Sequence, residues 1–376
     1  MFSYPTPFTP PTTEDDRLSW LRLIRSRRVG VATFWRLLAE YGSARAALMA
    51  LPEIARAAGV QSYEACPEGV VIAEAKAAHR AGARMICKGD ADYPADLALI
   101  SDAPPLLWSR GDTAHLARPM VALVGARNAS SLGTRMARKL AEGLSDAGVT
   151  VVSGLARGVD AVAHLSALSG GTVAVMAGGV DVIYPAENTA LAADIARQGL
   201  LLSEQPMGLA PQARHFPLRN RIISGLSRAV VVVEAAAQSG SLITARTALD
   251  QGREVLAVPG HPFDGRAGGC NMLIRDGAAL VRGVEDVLAV LELCPATAKP
   301  HAPTPDQAPE PPPRSWQTQA DLHRMILDRL GPSPLAEDQL LRDLDLSPQQ
   351  AAPELLTLEL EGQIQRAAGG LLSRMV

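Results

Sequence analysis

The chain has 376 residues, 47% hydrophobic and 20% charged, with a formal net charge of −3. That length suits two or three domains with at least one well-buried core, and that balance excludes a coiled coil, a wholly disordered chain and a uniformly basic duplex-coating protein. No apolar run approaches the ~18–20 residues needed to cross a bilayer, and residues 1–13 carry neither the basic nor the apolar segment of a secretory leader. Cys66, Cys87, Cys270 and Cys294 are scattered without CxxC or metal-type spacing, as expected of reduced thiols in a soluble cytoplasmic protein with no membrane insertion.

The charge is unevenly placed. Residues 1–80 carry 10 basic and 8 acidic side chains, 81–290 carry 19 and 19, and 291–376 carry 7 and 12, so the acidity belongs to the tail. Between Glu204 and Glu234 no acid occurs, yet Arg214, Arg219, Arg221 and Arg228 fall there with His215 and Phe216.

In chain order, residues 14–82 read as a small helical domain, with apolar positions such as Trp20, Leu21, Leu23, Ile24, Phe34, Trp35, Leu37 and Leu38 at helical spacing. Its Gly turns suggest helix pairs of the helix-hairpin-helix or SAM-like kind, or else a plain helical bundle with Arg25, Arg27 and Arg28 on a solvated face. Over 85–293 the pattern becomes α/β. Strands are expected at 120–124, 150–153, 172–177, 200–203, 229–233, 254–258 and 278–281, apolar at nearly every position, with amphipathic helices between them. Such strands belong to a doubly wound parallel sheet covered on both faces. Residues 294–317 are proline-rich and are expected to form a stiff linker. The tail, 318–376, reads as three helices with Ser347 as an N-cap, then a two-stranded hairpin: a winged-helix-like plan, whose acidity favours a protein partner over DNA.

In a parallel sheet the strand C-termini share one edge, where ligands bind. The loops expected there are Gly125-Ala126-Arg127-Asn128, Gly154-Leu155-Ala156-Arg157-Gly158, Gly178-Gly179-Val180-Asp181 and Gln238-Ser239-Gly240-Ser241. Glycine admits close backbone approach to an anion and the following helix N-termini favour negative charge, although any single strand-to-helix turn needs Gly for its own geometry. The first turn is not G-x-G-x-x-G and the second strand ends without a ribose-binding acid, which disfavours NAD. No P-loop, HExxH or G-x-S-x-G motif occurs, so no catalytic residue, metal or cofactor is expected. With aromatics at 4% of the chain, Phe216 beside its arginines is the best platform for stacking a nucleobase; the alternative is a core anchor for a helix beginning near Leu218.

Val124–Arg127, 152–161, 179–185, 216–226 and 239–245 together resemble the signature blocks of the DNA-processing protein A (DprA/Smf) family. The resemblance implies an extended Rossmann-like domain that is not an enzyme. It implies a protein that binds and protects single-stranded DNA, loads RecA recombinase during natural transformation, and forms a homodimer through this domain. By position, Arg127 and the Gly178-Gly179 backbone would grip phosphate, Asp181 would shape the pocket, Phe216 would contact a base, Arg219, Asn220 and Arg221 would line the groove, and Asn271 would complete the edge. Gly125, Gly154, Arg157, Ser239 and Gly240 belong to the same DNA-binding set. Ala126 departs from the family's usual Ser. A second reading is a nucleotide-processing, phosphoribohydrolase-like enzyme using the Ser239 loop, with Glu234 as its carboxylate.

Overall fold

The computed structural model describes residues 10–292, 319–367 and 369–375. Four helices open the chain: α1 (Glu14–Arg25), α2 (Val31–Tyr41), α3 (Ala44–Ala57) and α4 (Glu68–Arg80). Thr13 caps α1 by accepting the Asp16 N–H at 3.1 Å, and acids in its first turn with arginines in its last complement the helix dipole. Trp20, Phe34 and Trp35 meet edge to face, with ring centroids 5.1–5.7 Å apart. Arg25 is not on a solvated face. It pairs with buried Glu74 at 2.8 Å, and Glu74 also accepts the Trp108 indole N–H at 2.8 Å. Trp20, Phe34, Leu106, Trp108, Ala174 and Leu201 form one continuous core, so the helical module is fused to the sheet rather than tethered to it.

The sheet has nine strands: β1 (Arg84–Cys87), β2 (Leu106–Gly111), β3 (Met120–Val124), β4 (Thr150–Ser153), β5 (Thr172–Val175), β6 (Leu200–Ser203), β7 (Ala229–Val232), β8 (Glu254–Ala257) and β9 (Ala279–Leu280). Their spatial order is β1-β2-β6-β5-β4-β3-β7-β8-β9. From β6 to β9 all neighbours are parallel; β2 is antiparallel to β6, and β1 to β2. This antiparallel edge was not expected from the sequence. Strand alternation sends Val173 and Val175 to one face and Ala174 to the other. One face is covered by α5 (Ala95–Ala98), α9 (His215–Leu226), α10 (Gly240–Asp250) and α11 (Gly268–Arg275). The other carries α6 (Ser131–Asp146), α7 (Val159–Ser166) and α12 (Val284–Val290), with α8 (Thr189–Gln198) beside the N-terminal helices. Chain direction across the sheet reverses between β3 and β7, which places a topological switch point at the ends of those strands.

The expected linker lies outside the described residues. Beyond it come α13 (Gln319–Arg329), β10 (Leu335–Ala336), α14 (Glu337–Leu344), α15 (Pro348–Leu360), β11 (Ile364–Ala367) and β12 (Leu371–Arg374), a winged helix whose hairpin gains β10 as a third strand. Ser347 caps α15 in a reciprocal box, its Oγ accepting the Gln350 N–H at 3.3 Å while Gln350 Oε1 accepts the Ser347 N–H at 3.1 Å. The winged helix rests on the sheet domain through Arg329, which donates to Ala129 O at 3.1 Å and Thr134 Oγ1 at 3.2 Å, and through Arg266, which donates to Asp328 O and Leu330 O.

Candidate nucleic-acid interface

The loops after β3, β4 and β7 meet at the switch point because those three strands are neighbours. Their glycines lie close to neighbouring groups: a Cβ at Gly158 would strike Ala126 O at 2.3 Å. A Cβ at Gly125 would meet Val159 Cγ2 at 2.6 Å, and one at Gly154 would fall on the Arg219 guanidinium. Gly240 differs, since a Cβ there would meet nothing within 4 Å and its backbone faces open space. Ser239 caps α10, with Oγ accepting the Ser241 N–H at 3.3 Å, and Ser241 Oγ donates to Gly125 O at 2.8 Å, which ties the loops after β3 and β7 together.

These loops and the first two turns of α9 enclose a cavity of about 590 Å³ whose walls include Gly125, Arg127, Phe216, Arg219, Asn220, Ser239 and Gly240. A second cavity of about 410 Å³ is lined by Gly154, Arg157, Tyr184 and Pro185, and shares Arg127, Ala156, Phe216 and Arg219 with the first. Phe216 therefore stands as a partition. The Arg127 guanidinium lies 5.6 Å and that of Arg219 5.9 Å from its ring centroid, both within cation–π range. Phe216 is only half-buried, which fits a platform better than a core anchor.

The two arginines differ in kind. Arg127 is exposed, whereas Arg219 retains 7% of its surface; its Nη1 donates weakly to Val175 O at 3.4 Å, and its Nε is buried without a partner. Burial pushes the Arg219 pKa down against the opposing pull of Asp160. Asp160 also lines the larger cavity. Its carboxylate accepts the Gly154 and Ala156 N–H groups at 3.1 and 3.4 Å, and burial pushes its pKa up despite Arg219. Because an arginine does not shed its proton, Arg219 brings a fixed positive charge to the cavity wall beside Asp160.

Not every expected residue lies here. Arg221 points away from both cavities, buried and ion-paired with Glu204, with Asp102 at 3.4 Å. Gly178 and Gly179 are covered by the segment 206–211: the Gly179 N–H is spent on Leu209 O at 2.9 Å, and a Cβ at Gly178 would strike Leu209 O at 2.5 Å. The Gly179 N–H is therefore not free for phosphate, and both residues are buried. Asp181 fixes that covering segment by accepting the Gly208 N–H at 2.8 Å, outside both cavities. Asn271 clamps Gly260 through two hydrogen bonds of 3.2 and 3.0 Å, also outside them. Arg157 lines the second cavity while paired with Glu187 at 2.6 Å. Asp160 and Tyr184 fall inside the motif blocks, and the sequence reading gives neither a role; the signal available is a carboxylate in the first turn of α7 and an aromatic in the loop between β5 and α8.

Glu234 faces elsewhere. Its carboxylate accepts the Ser130 N–H at 3.0 Å and the Ser130 hydroxyl at 2.5 Å, and Ser130 in turn caps α6. It does not line either of the two cavities described. Among the described residues, no group of three or more metal-binding side chains occurs and no helix is long and apolar enough to cross a membrane.

Residues 84–292 match the family model described as DNA recombination-mediator protein A, residues 14–77 that of a DprA-like N-terminal HHH domain, and residues 300–370 that of a DprA winged helix domain. The chain is 47% identical over 202 residues to the DNA processing protein DprA of Streptococcus pneumoniae, covering 53% of this chain and 71% of that protein. It is 39% identical over 285 residues to the Smf protein of Escherichia coli, covering 74% of each. Among solved structures, it resembles DNA processing protein A of Streptococcus pneumoniae with a TM-score of 0.57 and 37% identity, over 70% of this chain and 98% of that one. It also resembles the Helicobacter pylori DNA processing protein A, described for its single-stranded DNA binding mode, with a TM-score of 0.52 and 29% identity, over 56% of this chain and 95% of that one.

Proposed function

The chain belongs to the DNA recombination-mediator protein A family, and from that premise we propose that it binds single-stranded DNA at the switch-point cavities. There it protects incoming strands and loads RecA recombinase onto them during natural transformation. The observation that carries the binding role is the partition itself: Phe216 flanked by exposed Arg127 and buried Arg219 at the mouth of the cavity. An aromatic face accepts any base, and guanidiniums take the backbone, so the site suits single strands without strong sequence preference. The curated Streptococcus pneumoniae relative and the Helicobacter pylori structure support the same reading. We further infer a homodimer through the sheet domain and action in the cytoplasm.

No catalytic step is part of this reading. A phosphoribohydrolase-like enzyme would need a carboxylate free to act at the sugar centre, whereas Glu234 is turned onto Ser130.

Binding of labelled oligo-dT, followed by fluorescence anisotropy, tests the site. Arg127→Ala is expected to weaken it about tenfold, in line with ~1.5–3 kcal/mol for hydrogen bonds to charged groups, and Phe216→Ala to cost about 1–3 kcal/mol. Unchanged affinity in both variants would remove the site. RecA filament formation on strands pre-coated with single-strand-binding protein tests loading, and its failure to accelerate would confine the protein to binding.

A further inference from the structure

The second cavity has a second aromatic side chain, Tyr184, in its lining beside Phe216. At about 410 Å³ it falls within the roughly 300–1,000 Å³ typical of small-ligand sites. Tyr184 lines this cavity and not the larger one, and the residue is 52% exposed. It touches Phe216 edge to face, with centroids 5.9 Å apart and planes inclined at 61°. Two rings at that angle cannot both stack on one flat base.

Resting on the reading of the site as a single-strand interface, we propose that Tyr184 and the smaller cavity form a second nucleotide subsite. The protein thereby takes two adjacent, splayed nucleotides as one unit, one on each side of Phe216. The backbone crosses the partition, where the connecting phosphate meets Arg127 from solvent and the buried Arg219 from below. Arg219 lines both cavities. Arg157, exposed and held near the cavity by Glu187, is placed to meet the outer phosphate of the second nucleotide. Splaying is favourable here because unstacked bases can each be taken up on an aromatic face, and the smaller cavity accepts a base by stacking rather than by edge recognition.

The test uses the full-length protein and competition against labelled oligo-dT by pdTpdT, and by pdTpdT lacking one of its two bases. Tyr184→Ala is expected to weaken pdTpdT about fivefold or more, the lower end of base-stacking contributions. Tyr184→Phe, which keeps the ring, is expected to match the native protein. Deleting the base that occupies the smaller cavity should cost the native protein the same factor and cost Tyr184→Ala nothing. An unchanged pdTpdT affinity in Tyr184→Ala, or equal losses from base deletion in both proteins, overturns the second subsite. Because Arg127→Ala is measured alongside, the two readings separate: a loss there with none at Tyr184 leaves the interface standing and removes only the subsite. Absence of any oligo-dT binding removes both.

Discussion

Arg219 and Gly154 compete for the same volume. Any side chain at residue 154 would displace the guanidinium, and the end of an arginine can move without unfolding its surroundings. Gly154→Ala is therefore expected to reproduce the DNA-binding loss of Arg219→Ala while keeping native-like circular dichroism; native affinity in that variant would show that Arg219 has no fixed role. His164, on α7, offers a second test of the same loop. Fully buried, it accepts the Leu155 N–H on Nε2 at 3.3 Å and contacts the Thr172 hydroxyl through Nδ1 at 2.7 Å, supporting the left-handed Leu155 at φ 54°. Burial pushes its pKa down to about 3. Between that value and the ordinary ~6.5 of an unfolded histidine, the unfolded chain binds the proton and the folded chain does not, so stability falls on acidification. Asp160, Glu204 and Glu234, raised by burial, tilt the curve the other way, which makes the variant the control. Denaturant midpoints from pH 7 to 4.5 are expected to fall more for the native protein than for His164→Gln; parallel curves would contradict the neutral, buried imidazole. Of these residues, Gly154 and Arg219 were readable as parts of one site, but their mutual exclusion was not, because it depends on contact between a loop and a helix 65 residues apart in the chain.

The helix α9 shows most clearly where sequence reading stops. Phe216, Arg219, Asn220 and Ile223, spaced i, i+3, i+4 and i+7, line the larger cavity, whereas Arg221 lies two residues beyond Arg219, about 200° around the helix. With the helix expected to begin near Leu218 rather than at His215, that periodicity is hidden, and Arg219 and Arg221 read as equivalent. His215 adds no reliable charge either, since burial lowers its pKa and its Nδ1 accepts the Gln212 N–H at 3.1 Å. The parallel strands are legible because each is apolar at nearly every position; β1 and β2 are not, because an antiparallel edge need not be apolar throughout and β1 is only four residues long. The contact between β7 and α6 made by Glu234 gives an element-level prediction. Glu234→Ala leaves the buried Ser130 N–H and the Ser130 O–H proton without their acceptor and is expected to cost about 1–3 kcal/mol in chemical denaturation. Oligo-dT affinity is expected to persist in that variant, whereas its loss at unchanged stability would place the carboxylate in the binding site after all.

At the scale of the whole molecule, the net charge of −3 conceals a division of labour. Of the four arginines between Glu204 and Glu234, Arg221 is neutralised by Glu204, Arg228 lies 3.7 Å from Asp96, and only Arg219 lines the larger cavity. The basic stretch is thus largely structural, and Arg127, from a loop distant in sequence, completes the site. The helical module shares its core with the sheet and cannot be treated as an appendage, while the winged helix is held chiefly through arginine-to-carbonyl contacts from Arg329 and Arg266. A cavity of about 800 Å³ between the winged helix and the sheet domain also reaches Arg127, so the tail borders the interface.

The salt dependence of oligo-dT binding by the full-length protein, native and Arg127→Ala, tests the central claim most directly. Each phosphate neutralised on a single strand contributes a slope of about −0.7 to log Kobs against log salt. Arg127→Ala is expected to weaken binding and to make the slope shallower by about 0.7, with a duplex of equal length bound more weakly by both proteins. An unchanged affinity and slope in Arg127→Ala, or a duplex preferred over the single strand, would contradict the switch-point cavities as the single-strand interface.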